Sequence, residues 1–155
     1  MGVVVRKGVE EDLPAVLSLV KELAHFEKCP DEVEVTVSEM RNWGFGRKPV
    51  FEFFVAVDGG HIVGTAIYYY KYSTWKGRCL FLEDIIVTAS ERRKGSGTLL
   101  FNEVLKIAKA DHVRRLEWQV LAWNTDAIEF YKKYRSAFDN EWINCKLIYS
   151  QLQAL

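Results

Sequence analysis

The sequence predicts an α/β fold. Runs rich in aromatic and β-branched residues alternate with stripes of helical period, short turn signals separate them, and no repeat or glycine- or proline-rich linker interrupts the 155 residues. That length fits a single domain, residues 1–155, able to bury roughly 68–70% of the surface its unfolded chain exposes.

Each element has a local reason. Residues 3–6 read as a short strand. Asp12 is placed to cap a helix with Pro14 in its first turn, and Leu13, Val16, Leu17, Val20, Leu23 and Ala24 form one stripe of it. Thr36 followed by Glu39 has capping-box spacing for a second helix that ends near Gly44 and Gly46. Residues 51–57 and 62–70 flank Asp58-Gly59-Gly60, which predicts a β-hairpin, and the next turn falls at Trp75, Lys76 and Gly77. Residues 79–87 read as a mostly apolar strand, and residues 97–110 as a helix with Leu100, Val104, Ile107 and Ala108 facing inward. Residues 116–121 supply another strand, Asn124 caps a helix running through Ile128 and Tyr131, and residues 142–149 supply a last strand. The expected order is β α α β β β α β α β.

Composition excludes several function classes. With 49% hydrophobic and 27% charged residues the chain is not disordered as a whole, and 21 bases against 21 acids give no bulk attraction to nucleic acid or an anionic membrane. Charge is uneven, however: residues 1–40 hold nine acids and four bases, residues 91–115 seven bases and three acids. Two walls for differently charged ligands, or simply solvated faces, give the same counts. No window approaches the ~20 apolar residues of a membrane span and the first residues lack a signal-peptide h-region, so a cytoplasmic location is expected. Cys29, Cys79 and Cys145 form no CxxC pair, and His25, His61 and His112 have no HxxxH or HxH spacing; neither a disulfide framework nor a metal site is expected.

Two stretches carry chemistry. In Phe81-Leu82-Glu83-Asp84-Ile85-Ile86-Val87, two carboxylates interrupt a strand apolar on both faces, and alternation sends Glu83 and Asp84 to opposite sides. Such an acid is either functional or a paired structural group. After it, Arg92-Arg93-Lys94-Gly95-Ser96-Gly97-Thr98 joins the strand to a helix, so backbone amides, a helix N-terminus and three cations can converge on a phosphate. Neither a Walker A loop nor GxGxxG is present.

Arg92-x-x-Gly95-x-Gly97, after an apolar strand and before a helix, resembles the [Q/R]xxGx[G/A] loop of the GNAT acetyltransferases. Lys21-Glu22-Leu23-Ala24, Phe26-Glu27, Phe81-Leu82-Glu83-Asp84, Trp123-Asn124 and Phe130-Tyr131-Lys132 extend the likeness, in order, to the spermidine/spermine and thialysine branch. The resemblance implies a mixed, largely antiparallel central sheet flanked by helices, with a strand–loop–helix acetyl-CoA site. It also implies direct transfer of acetyl from acetyl-CoA to a primary amine in a ternary complex, without a covalent acyl-enzyme.

Cofactor contacts implied by the resemblance fall on Ile85, Ile86 and Val87, on Arg92, Arg93, Lys94, Gly95, Ser96, Gly97 and Thr98, and on Asn124, Thr125, Asp126 and Ala127. An alkyl ammonium with a pKa near 10 must lose a proton before it attacks, so Glu83 is the candidate base, and Tyr131 the candidate acid for the leaving thiolate. Phe26, Glu27, Glu83, Glu117, Trp118 and Gln119 are the candidate acceptor-binding residues. A small cationic acceptor such as a polyamine, diamine or lysine-like ω-amine is expected; the alternatives are a protein N-terminus or lysine, or a silent acyl-CoA-binding module. A homodimer is likewise only implied by the resemblance.

Three positions depart from the branch. Arg93 stands where a glycine is usual, Phe26 replaces a tyrosine, and Tyr134-Arg135-Ser136-Ala137 lacks the glycine common near the helix end.

Overall fold

The computed structural model describes residues 2–155, so only Met1 of the expected 1–155 domain lies outside it. The chain divides into two compact units, one running to Gln119 and one spanning Val120–Leu155.

In the first unit, β1 (Val4–Lys7) leads through a short turn to α1 (Leu13–Phe26) and α2 (Val37–Phe45). β2 (Glu52–Asp58), β3 (His61–Ser73) and β4 (Gly77–Val87) follow, then α3 (Ser96–Ala110) and β5 (Leu116–Trp118). The sheet order is β1-β2-β3-β4-β5, antiparallel except for the β4–β5 pair, which is parallel because α3 crosses between them. The predicted hairpin forms: Asp58 pairs with His61 across Gly59 and Gly60, whose φ of 55° and 83° a two-residue turn of this hand requires.

One face of the sheet buries Phe53, Val55 and Ile67 against Leu13, Val16 and Leu17 of α1 and Met40 of α2. α3 packs on β2, β3 and β4, where Leu80, Leu82 and Tyr68 are buried, as are Leu100, Phe101 and Val104. Each such aliphatic or aromatic side chain contributes about 1.5–3 kcal/mol, so these stripes anchor the helices. The predicted capping box holds: Thr36 Oγ1 accepts from the Glu39 amide at 3.2 Å, and Glu39 Oε2 accepts from the Thr36 amide at 2.9 Å. Asp12, by contrast, does not cap α1 with its side chain. Its carboxylate accepts from Arg6 at 2.7 and 2.9 Å and from the Val9 amide at 2.9 Å, which holds it well below the usual carboxylate range.

The second unit holds α4 (Thr125–Lys132) and α5 (Tyr149–Ala154). Asn124 caps α4 as predicted, its Oδ1 accepting from the Ala127 amide at 3.2 Å. Without a glycine, the chain leaves α4 through Arg135 at φ 56°, with Ser136 Oγ donating to the Tyr131 carbonyl at 2.9 Å. The strand expected at residues 142–149 is not formed. A strand requires a hydrogen-bonded neighbour, and none is found for this stretch among the described residues; Trp142, Ile143, Leu147 and Ile148 stay exposed and Tyr149 opens α5 instead. No helix among the described residues is long and apolar enough to cross a membrane.

Candidate functional site

β4 departs from simple alternation where its acids lie. Ile67 pairs with Asp84 and Tyr68 with Leu82, leaving Glu83 as the extra residue of a β-bulge. Paired residues share a face, so Asp84 lies with Ile67 on the α1 side. Tyr69, two residues along that face, donates its hydroxyl to Glu83 Oε2 at 3.1 Å and stacks on Phe81 with ring centroids 5.3 Å apart. The expectation that Glu83 and Asp84 point to opposite sides is therefore corrected: the bulge gathers both carboxylates toward α1.

Their environments differ. Burial, reinforced by the charges of Glu83 and Glu27, pushes the Asp84 carboxyl up to about 6. Glu27, at the C-terminal end of α1, is also raised by burial, and burial beside Glu83 pushes Tyr69 up to about 12. A carboxyl that titrates near neutrality can hold or release a proton at physiological pH, which suits a general base. The sequence motif assigns Asp84 no role. Only the bulge and the burial single it out.

The sheet opens beside these acids. β5 pairs with β4 only over Leu80–Leu82, so among the described residues the β5-side edge beyond Leu82 has no strand partner; Ile85 and Val87 turn their backbone groups to that edge, whereas Ile86, paired with Thr65, turns its own toward β3. Beyond Val87 the chain passes through residues 88–95 into α3, whose first amides have no helical acceptor ahead of them. Gly95 caps the helix at φ 92°, a conformation open to glycine, and a Cβ there would meet nothing within 4 Å. The Ser96 hydroxyl is buried without a protein partner. An orphaned donor, a left-handed glycine facing open space and unsatisfied amides fit the diphosphate of acetyl-CoA. Gly97 is less special than the motif implies, since a Cβ there would stand at an ordinary 3.8 Å from Val87.

The loop cations do not all point the same way. Arg92 donates through Nε to the Val87 carbonyl at 3.0 Å, lies 5.0 Å over the Phe26 ring and approaches Glu22 at 4.0 Å, while Lys94 pairs with Glu91 at 2.8 Å. Arg93 occupies φ 64°, a left-handed conformation that a non-glycine residue adopts only with strain.

Of the acceptor candidates, Phe26 and Glu27 lie at the end of α1, near the loop and Asp84 respectively. Glu117 is engaged by Lys71 at 3.4 Å and Arg115 at 3.2 Å, and Trp118 packs edge-on against Phe101 at 5.4 Å. Both sit in the architecture of β5, which Gln119 follows directly. The Tyr69 ring also lines a cavity of about 490 Å³ with Phe45, Phe51 and Phe53. In the second unit, Thr125, Asp126 and Ala127 form the first turn of α4, and Tyr131 is its buried residue.

Residues 16–135 match the acetyltransferase (GNAT) family. The chain belongs to this family. It is 36% identical over 138 residues to a thialysine N-epsilon-acetyltransferase of Bos taurus, covering 84% of this chain and 81% of that protein. It is 32% identical over 142 residues to a spermidine/spermine N(1)-acetyltransferase-like protein 1 of Homo sapiens, covering 87% of this chain but 20% of that longer protein. The fold of this GNAT chain superimposes on an integron cassette protein from V. cholerae with a TM-score of 0.80 at 21% identity, over 99% and 97% of the two chains. Transfer of an acetyl group is thus the family activity, and GNAT enzymes use acetyl-CoA.

Proposed function

We propose that this GNAT acetyltransferase, acting as one domain since the family match crosses from the first unit into the second, acetylates the primary amine of a small cationic acceptor: a polyamine, a diamine or a lysine-like ω-amine. The observation that carries the reading is the bulge that brings Glu83 and Asp84 to one face, with Glu27 adding a third negative charge. Such a cluster attracts an ammonium and offers a proton acceptor poised near neutrality. Bound acetyl-CoA would supply the acetyl group as an activated thioester.

The chain's own residues divide the remaining work. Glu83, steadied by the Tyr69 hydroxyl, draws the ammonium in, and the assignment of Glu83 as base is widened to the Glu83–Asp84 pair, in which burial raises the Asp84 carboxyl to about 6. Tyr131 carries the phenolic proton that a departing thiolate requires. The α3 N-terminus, Gly95 and Ser96 hold the diphosphate, and the open edge of β4 offers the Ile85 backbone groups and the Val87 amide to an extended amide arm, the Val87 carbonyl being taken by Arg92 and Ile86 facing β3. The cavity beside Tyr69 offers Phe45, Phe51 and Phe53 to the methylene chain of a diamine, with the paired Lys7 and Glu52 also in its lining.

A thiol-release assay with acetyl-CoA and a panel of thialysine, spermidine, short diamines and lysine-bearing peptides tests this. Release with the small amines is expected, with Tyr131→Phe lowering turnover by ~10²–10⁴ while coenzyme A affinity stays similar. Acetylation of peptides alone would overturn the acceptor class, coenzyme A binding without release on any amine would favour a silent binding module, and unchanged turnover in Tyr131→Phe would reject the acid.

A further inference from the structure

Glu22 lies in the last turns of α1, four residues before Phe26 and therefore on the same helical face. Its two carboxylate oxygens are both used by a segment 66 and 67 residues away: Oε2 accepts from Thr88 Oγ1 at 2.9 Å and Oε1 from the Ala89 amide at 2.8 Å. Arg92 approaches the same Oε1 at 4.0 Å and lies over the Phe26 ring. One helix face thus grips the exit from β4 at three points within five residues, Thr88, Ala89 and Arg92, immediately before the segment that turns into α3.

We propose that Glu22 is the positioning residue of the β4–α3 loop, fixing the backbone that presents Gly95, Ser96 and the α3 amides to the diphosphate of acetyl-CoA. The inference deepens the proposed function and rests on its assignment of that loop. Several observations favour positioning over an incidental surface contact. An isolated exposed ion pair is worth little, but a carboxylate accepting from a backbone amide and a hydroxyl together makes charge-assisted bonds of defined geometry. The connection also contains Arg93 in a left-handed conformation that the backbone disfavours, so it needs restraint from outside itself. Arg92, turned back on Val87 and Phe26, serves the same restraint rather than reaching outward. Finally, Glu27 directly follows α1 and its charge acts on Asp84, so the same helix end reaches the acceptor side through Glu27 and holds the cofactor side through Glu22.

The test compares Glu22→Ala, Glu22→Gln and Thr88→Val with the unaltered chain. Coenzyme A affinity is read by calorimetry, turnover with acetyl-CoA and with S-acetylpantetheine (which lacks the diphosphate), and backbone exchange of residues 89–97 by hydrogen–deuterium measurements on the unliganded protein. Glu22→Ala is expected to weaken coenzyme A about 10-fold and to speed exchange across residues 89–97, with kcat/KM for S-acetylpantetheine within about 2-fold of the unaltered chain. Glu22→Gln, whose amide oxygen can still accept from Ala89 and whose nitrogen can donate to Thr88, should restore most of the affinity; Thr88→Val should fall between. Equal losses with both thioesters, or unchanged exchange in residues 89–97, would overturn positioning. If Glu22→Ala fails to fold, the Gln and Val variants carry the same comparison. If the unaltered chain binds no coenzyme A, the proposed function fails, while the exchange data on the unliganded protein still decide whether Glu22 fixes the loop.

Discussion

Asp12 and Asp84 belong to the same unit and receive opposite treatment. Asp12 is buried, yet Arg6 and the Val9 amide supply three hydrogen bonds, and its carboxyl is held low. Asp84 is surrounded by burial and two further acids, and its carboxyl is driven up to about 6. The first arrangement stabilises the junction of β1 with α1. The second destabilises the ionised protein, and such a cost persists where chemistry needs an imperfectly satisfied acid.

Replacing the two acids should separate these roles most sharply. Asp84→Asn is expected to lower kcat/KM for the amine by ~10²–10⁴ and to remove the acidic limb near pH 6 from its pH profile. The sign for stability runs the other way. Because the folded carboxyl is raised above its unfolded value of 3.8, its ionisation penalty is absent below about pH 4, grows as pH rises toward 6 and is complete above that. Denaturant titrations should therefore find Asp84→Asn more stable than the parent at pH 7, by on the order of 1–3 kcal/mol, with the gain gone at pH 4. A variant that loses activity and stability together at pH 7 would make Asp84 a structural acid like Asp12.

Asp12→Asn gives the reciprocal result. It should lose about 1–3 kcal/mol at pH 7, because charge-assisted hydrogen bonds to Arg6 and Val9 are weakened, with kcat nearly intact. Its lowered carboxyl contributes stability above the unfolded value, lost as pH falls through the folded one, so parent and variant should converge in strong acid. A large fall in kcat without a change in unfolding midpoint would break the contrast.

What the sequence made legible follows the range of the interactions. Thr36–Glu39, Gly59-Gly60 and Asn124 act over two to four residues and behave as their local chemistry dictates. The order of elements as far as α4 and the strand–loop–helix junction were legible for the same reason. The bulge was not: period-two alternation separates Glu83 from Asp84 until the pairing with β3 slips by one residue, and that slip belongs to two strands together. The contacts of Arg92 with Phe26 and Glu22 are equally hidden in the sequence, because both partners are far away along the chain. Residues 142–149 have strand composition, but composition cannot supply the neighbour that a strand needs.

Backbone conformation extends the Asp12–Asp84 contrast at smaller magnitude. Arg93 and Arg135 are both left-handed, at φ 64° and 56°, a conformation that glycine adopts without strain. Glycine at either site should relieve about 1 kcal/mol of strain, measurable as a raised unfolding midpoint. The functional consequences should diverge. Arg135 lies past the end of α4, so Arg135→Gly is expected to leave coenzyme A affinity unchanged. Arg93 belongs to the diphosphate loop, so Arg93→Gly should become more stable while binding coenzyme A several-fold more weakly, as the loop gains conformations that a ligand must then exclude. Equal affinity in both variants would place the strain at Arg93 with the helix-end strain at Arg135, a feature of how the chain turns rather than of how the site is held.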